Sequence, residues 1–141
     1  MTHILKKVFC FGVFDGIHAG HIHMLKEAKN YGDYLIVAVT QDHIVEQLKS
    51  RKTRNPLLKR IDQLRLTGLV DLVVTGDAEI MTWQTLQSHA PQVIALGYDQ
   101  QKIKHVLDSA ILQFSFPTEI VVLSALEPDK LHSSLLFGSS T

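Results

Sequence analysis

The chain has 141 residues, of which 45% are hydrophobic and 20% charged, and its 14 Lys and Arg balance 14 Asp and Glu. A chain of this size buries a sufficient core as one domain, and zero formal net charge excludes any global attraction to nucleic acid or an anionic membrane. Its single cysteine, Cys10, excludes an intrachain disulfide framework and a multi-cysteine metal site.

No apolar run approaches the ~20 residues that span a bilayer. The opening Met1-Thr2-His3-Ile4-Leu5-Lys6-Lys7 lacks the order of a signal peptide. The expected location is therefore the cytoplasm, with no membrane and no nucleic-acid partner.

Val8 to Phe11 is a short apolar run before Gly12, as in a strand buried on both faces. A helix is predicted from His21 to Tyr31, with Gly32 as its cap. Tyr34 to Thr40 reads as a strand from its β-branched content. A short helix follows over Gln41 to Leu48, with Ile44, Val45 and Leu48 inward. The connection Lys49-Ser50-Arg51-Lys52-Thr53-Arg54-Asn55 is basic and polar. Pro56 opens the next helix, with Asn55 as its expected cap, and Leu57, Leu58, Ile61, Leu64 and Leu69 form its apolar stripe. Asp71 to Thr75 is a third strand, ended by Gly76-Asp77.

A helix over Thr82 to His89 is bounded by Pro91. Val93 to Leu96 forms a fourth strand running into Gly97-Tyr98-Asp99. Ile103 to Ile111 is a further helix, Glu119 to Leu123 a fifth strand, and the end Gly138-Ser139-Ser140-Thr141 is expected to fray. Strands alternating with helices indicate a single α/β domain, a Rossmann-like three-layer sandwich on a five-stranded parallel sheet. Ligands of such sheets bind at the carboxyl ends of the strands, where strand order reverses.

Chemistry concentrates in Gly12-Val13-Phe14-Asp15-Gly16-Ile17-His18-Ala19-Gly20-His21. A buried strand, a glycine-punctuated turn and a helix start in that order bring backbone N–H groups and the positive helix end to one place, an anion site. His18 and His21 are placed to donate to phosphate oxygens. Two other readings stand beside that one. The histidines serve as surface or capping groups, or His18, His21, His23 and Asp15 ligate a metal. Zinc sites on helices usually set histidines four apart, so the spacing disfavours the metal. Lys49, Arg51, Lys52 and Arg54 suit phosphate or a solvated loop, and Asp99 suits ligand contact or a helix cap. Tyr98 and Trp83 offer rings for stacking, Trp83 more naturally as packing.

This stretch resembles the signature of the nucleotidylyltransferase superfamily, Gly-x-Phe-Asp followed by His-x-Gly-His, at every position. The resemblance implies attack by a phosphate-bearing acceptor on the α-phosphorus of a nucleoside triphosphate, with pyrophosphate leaving and no covalent enzyme intermediate. His18 and His21 would stabilise the transition state. Gly12, Val13, Phe14, Ala19 and Gly20 would contact the nucleotide with them. A divalent cation, Mg²⁺, would bridge phosphate oxygens; its protein ligands stay unassigned.

Within the superfamily the chain is most similar to archaeal-type FAD synthases, which transfer AMP from ATP to FMN. The similarity extends over Lys49-Ser50-Arg51-Lys52, Asn55-Pro56, Arg60 and Ala95-Leu96-Gly97-Tyr98-Asp99-Gln100. It implies phosphate contacts by Lys49, Lys52 and Arg60, nucleotide contacts by Gly97 and Asp99, and a role for Asp15 in orienting acceptor or metal. Ser133 and Ser134 match the family's last phosphate-binding pair, but Leu135 stands where the family has lysine. Lys130 or a partner subunit would then supply the missing charge, and the family's dimers make a homodimer an expectation. CTP with glycerol 3-phosphate, ATP with a sugar phosphate, and a non-catalytic nucleotide-binding module are the rival readings.

Overall fold

The computed structural model describes residues 4–125. Its elements run β1 (Lys7–Gly12), α1 (Ala19–Lys29), β2 (Tyr34–Val39), α2 (Asp42–Lys49), α3 (Leu57–Leu66), β3 (Leu72–Thr75), α4 (Gln84–His89), β4 (Val93–Leu96), α5 (Gln101–Ala110), a 3₁₀ turn over Ile111–Gln113, and β5 (Glu119–Val122). The strands form one parallel sheet in the order β3-β2-β1-β4-β5. The chain winds outward from β1 to β3, then returns to build on its other side. Strand order therefore reverses between β1 and β4, and a crevice opens above their carboxyl ends.

The two faces of the sheet carry separate cores, because alternate side chains point to opposite sides. Val8, Cys10, Val37 and Val39 pack under Leu25 and Ala28 of α1 and Ile61 and Leu64 of α3. Phe9, Ile36, Ala38, Ile94 and Leu96 pack under Leu86 of α4 and Leu107 of α5. Strands with neighbours on both faces hold near-continuous apolar runs, which is why β2 and β4 were readable as strands. Cys10 is buried, and that burial pushes its thiol up to about 12. It is a packing residue, inert as a nucleophile.

Several sequence expectations shift at element ends. Helix α1 starts at Ala19, two residues earlier than expected, since His18 serves as its N-cap, and it closes on Asn30 rather than on Gly32. Gly32 has another duty. A Cβ there would lie 2.5 Å from the Lys6 carbonyl oxygen, which accepts from the Asp33 and Tyr34 amides. The N-cap of α3 is Pro56, not Asn55, and Leu58 is exposed while Leu69 lies past the helix end. Leu48, expected inward, is 57% exposed.

Gly32→Ala should destabilise the fold by about 1–3 kcal/mol, because a backbone carbonyl cannot move aside as a side chain can. Urea unfolding of the two proteins checks this; an unchanged midpoint would mean the β1–α1 approach is looser than described.

Candidate active site

The crevice is a cavity of about 890 Å³ at the carboxyl rim of the sheet. The turn after β1 forms its centre. Gly12 is needed there because the Phe14 ring packs where a Cβ would stand, with ring carbon Cε2 at 2.9 Å. Phe14 itself holds a left-handed backbone, φ 52°, is almost wholly buried, and sets its ring 5.2 Å from that of His21. Two neighbouring strand ends are stapled to this turn. Thr40 donates its amide and hydroxyl to the Gly12 carbonyl. Gln100 donates its side-chain amide to the Phe11 carbonyl while accepting from the Gly97 amide. Gln100 thus ties β1 to β4 across the switch point, a role that no residue-type signal announced.

His18 and His21 form a capping box normally built from Ser or Thr and Glu. His18 Nδ1 accepts from the Gly20 amide at 3.1 Å, and His21 Nδ1 accepts from the His18 amide at 3.3 Å. The rings stack with centroids 3.8 Å apart. A nitrogen that accepts a hydrogen bond carries no proton, so each neutral ring holds its proton on Nε2. Both residues line the cavity. The helix cap therefore fixes two Nε2–H donors at a helix N-terminus. Burial lowers the pKa of His21, the neighbouring His18 lowers it further, and Asp99 opposes them; the result is about 4. His21 is thus neutral in the physiological range. The capping and phosphate-donor readings of these histidines describe one arrangement, since they use different ring nitrogens.

Asp15, expected to orient acceptor or metal, lines the cavity and is also bound to the basic loop. Its carboxylate accepts from the Arg54 amide at 2.7 Å and from the Asn55 amide and side chain at 3.0 Å each. Burial alone would raise its pKa, but these hydrogen bonds and the charge of Arg60 outweigh that and lower it. Asp15 clasps the basic loop to the β1 turn. Arg51 and Arg54 line the cavity, as does Lys49 at the end of α2, while Lys52 is exposed off its wall. Residues Arg51 and Arg54 take the place assigned to Lys52.

Arg60 departs furthest from the sequence reading. It is fully buried and absent from the cavity wall. Its Nε donates to the Asn55 carbonyl, its Nη1 to the carbonyls of Val13 and Thr40, and its Nη2 to Asp42 at 2.6 Å. Four of five donors are occupied within the fold, so phosphate contact is replaced by a clasp. Gly97, Ala19 and Gly20 also lie off the cavity wall, with the Gly97 and Gly20 amides already donating to Gln100 and His18. Asp99 lies on the wall and Tyr98 does not. Ser133, Ser134 and Lys130 fall outside the described residues.

The cavity has a further wall of which sequence reasoning had singled out Trp83 but not the role of Asp77. Asp77, after β3, accepts from the amides of Gln84 and Thr85 and the hydroxyls of Thr82 and Thr85. It organises the turn before α4, where Met81 and Trp83 adopt left-handed φ of 58° and 55°. Trp83 packs against Phe11, with centroids 6.0 Å apart, and also lines the cavity.

The cytidylyltransferase-like family profile matches residues 9–135. An FAD synthase from Pyrococcus abyssi is 38% identical over 120 residues, covering 85% of this chain and 81% of the relative. One from Thermococcus sibiricus is 36% identical over 115 residues, covering 82% and 78%. The crystal structure of a lipopolysaccharide core biosynthesis protein from Thermoplasma volcanium superposes with a TM-score of 0.80 at 32% identity, over 87% of this chain and 99% of that one.

Two expectations follow from the geometry. His21 should titrate near pH 4 by NMR, and at about pH 8 both rings should show the Nε2-protonated tautomer. Between its ordinary pKa of 6.5 and about 4 the unfolded chain takes up a proton that folded His21 refuses. Stability from this group is complete above that window and declines as pH falls through it. Arg60→Lys, which keeps the charge but loses the fork, should cost about 1–3 kcal/mol in urea unfolding. A fully stable variant would return Arg60 to the list of ligand-binding groups.

Proposed function

The chain belongs to the cytidylyltransferase-like family, and from that membership we propose that it is a nucleotidyltransferase moving AMP from ATP to FMN. FAD and pyrophosphate are the products. A phosphate oxygen of FMN forms a bond to the α-phosphorus of ATP as the bond from that phosphorus to the bridging oxygen breaks; pyrophosphate carries the electron pair away. The relatives that share most of this chain's length and bear the name FAD synthase support this acceptor.

The observation that carries the reading is the pair of Nε2–H donors that His18 and His21 present to the cavity. A phosphate monoester has its second pKa near 6 and is largely dianionic at pH 7, so the acceptor needs no general base. What the reaction requires is positioning and donors aimed at charge that grows on the phosphoryl oxygens. Neutral rings with their protons locked on Nε2 meet that requirement without surrendering a proton. Lys49, with Arg51 and Arg54 that Asp15 holds, draws the phosphate charges together. Asp99, on the wall near His21, is placed for the nucleotide's ribose or base, with the Gly12–Phe14 turn beside it.

Among the described residues no three His, Cys, Asp or Glu side chains converge as a metal cage. Mg²⁺ needs no such cage, since it keeps its waters and binds substrate phosphates with one or two carboxylates; Asp15, Asp77 and Asp99 are the aspartates on the cavity wall that would hold it through those waters. When bound, the cation neutralises the β- and γ-phosphates and improves pyrophosphate as a leaving group.

Incubation with ATP, Mg²⁺ and FMN should release pyrophosphate and yield FAD by mass spectrometry, while CTP with glycerol 3-phosphate and ATP with sugar phosphates should give little product. His18→Ala and His21→Ala should each lower kcat by about 10²–10³-fold. Product from another acceptor in preference to FMN overturns the assignment of acceptor, and absence of any product overturns the enzyme.

A further inference from the structure

The cavity is chemically two-sided. Its side toward β1 and β4 carries the histidine pair, the Gly12–Phe14 turn and Asp99, with Ile17 and Met24 beside them. Its other side comes from the crossovers after β2 and β3 and holds Ile44, Leu48, Ile80, Met81 and Trp83 over Phe11. Leu48, Ile80 and Met81 are 57%, 41% and 52% exposed. Exposed large apolar groups scattered singly are ordinary, but a cluster inside a cleft marks a ligand surface.

The surface is also fixed in place. Gln41 Nε2 donates to the Gly76 carbonyl, and His43 Nε2 bonds the Ala78 carbonyl at 2.8 Å, so α2 grips the turn after β3. Asp77 then pins the far end of that turn to α4. Met81 and Trp83 sit in left-handed backbone within this frame. Such backbone is strained in non-glycine residues, and it persists where the surroundings over-determine it.

We infer that this apolar lobe seats the planar ring system of the acceptor, an isoalloxazine-class tricyclic ring. The inference rests on the reading of FMN as acceptor and adds where its specificity resides. The lobe shares the cavity with Lys49, Arg51 and Arg54. Its occupant must then be apolar and flat at one end and anionic at the other. Trp83 and Phe11 offer ring faces, and Met81 a polarizable thioether suited to aromatic contact. A sugar phosphate or glycerol phosphate has no group that would fill such a surface. The specificity residues are Leu48 and Met81, with Trp83 as the floor.

The test uses Met81→Asn, which tolerates left-handed backbone, and Leu48→Gln, which suits an exposed helix position. Equilibrium dialysis measures lumiflavin, a ring without ribityl phosphate, against adenosine as control. The native protein should retain lumiflavin, each variant should weaken it about tenfold, and adenosine should change by less than about twofold. In FAD-forming assays the KM for FMN should rise by a similar factor while the KM for ATP stays put. Failure of the native protein to retain lumiflavin, unchanged lumiflavin binding in both variants, or loss of adenosine affinity instead, overturns the inference. Unchanged KM for FMN with FAD still formed overturns the lobe and leaves the reaction standing. Variant-sensitive lumiflavin binding without any FAD overturns the reaction and leaves the lobe standing.

Discussion

One buried guanidinium holds the working rim of this sheet together. Arg60 reaches from α3 to the carbonyl of Val13 after β1, of Thr40 after β2, and of Asn55 before its own helix, and it pairs with Asp42 of α2. Taking a cation out of water costs several kcal/mol unless hydrogen bonds replace its hydration. Here four donors find acceptors, and Asp42 is itself held by the Thr53 hydroxyl and the Leu57 amide. The turns after the paired strands β1 and β2, the start of α2 and the loop before α3 thereby become one body. The basic loop belongs to that body, since Asp15 accepts from Arg54 and Asn55.

With the β1 turn immobilised from one side by Arg60 and from the other by Gln100, the start of α1 has a fixed address. The histidine capping box then does two tasks with one pair of rings. Nδ1 satisfies the backbone N–H groups that every helix start leaves orphaned, and Nε2 is left as a donor toward the cavity. Serine at the first position with glutamate at the second would cap equally well but would present no N–H to a ligand. Burial keeps the His21 donor neutral by stripping water from its charged form, and the stacked His18 ring adds to that. An acceptor that arrives as a dianion asks for donors rather than a base, and the site supplies donors.

The parallel sheet was legible because its strands are apolar on both faces and separated by helical spacings; β4 occupies the stretch Val93–Leu96 that its composition marked. The histidine pair and its turn were legible from motif and setting. Arg60 was not, because a lone arginine on an amphipathic helix reads as solvated or ligand-facing, and only the tertiary fold reveals three carbonyls awaiting it. Gly32 looked like a helix cap because caps favour glycine; the close approach of Lys6, 26 residues earlier in sequence, decides its identity instead. Left-handed backbone at Met81 and Trp83 carries no residue-type signal at all, since neither is glycine or asparagine. It is imposed by Asp77 and by the grip of α2.

That division between legible and illegible residues follows a division of labour within the cleft. The turn after β1 is locked by hydrogen bonds into the sheet and α3, so its sequence is narrowly constrained and reads as a motif. The crossovers after β2 and β3 contribute side chains to the cavity while their backbones are held from outside it, by Gln41, His43 and Asp77. Ile44, Leu48, Ile80 and Met81 are thus free to differ without disturbing the phosphate chemistry. A chain with no net charge and unremarkable hydropathy in this way brings Arg51 and Arg54 to the cavity from one loop and Ile80 and Met81 from another. The histidine pair thus stands on the turn after β1, whereas Leu48 and Lys49 are neighbours in α2, so one crossover brings an apolar group and a cation to the cavity together.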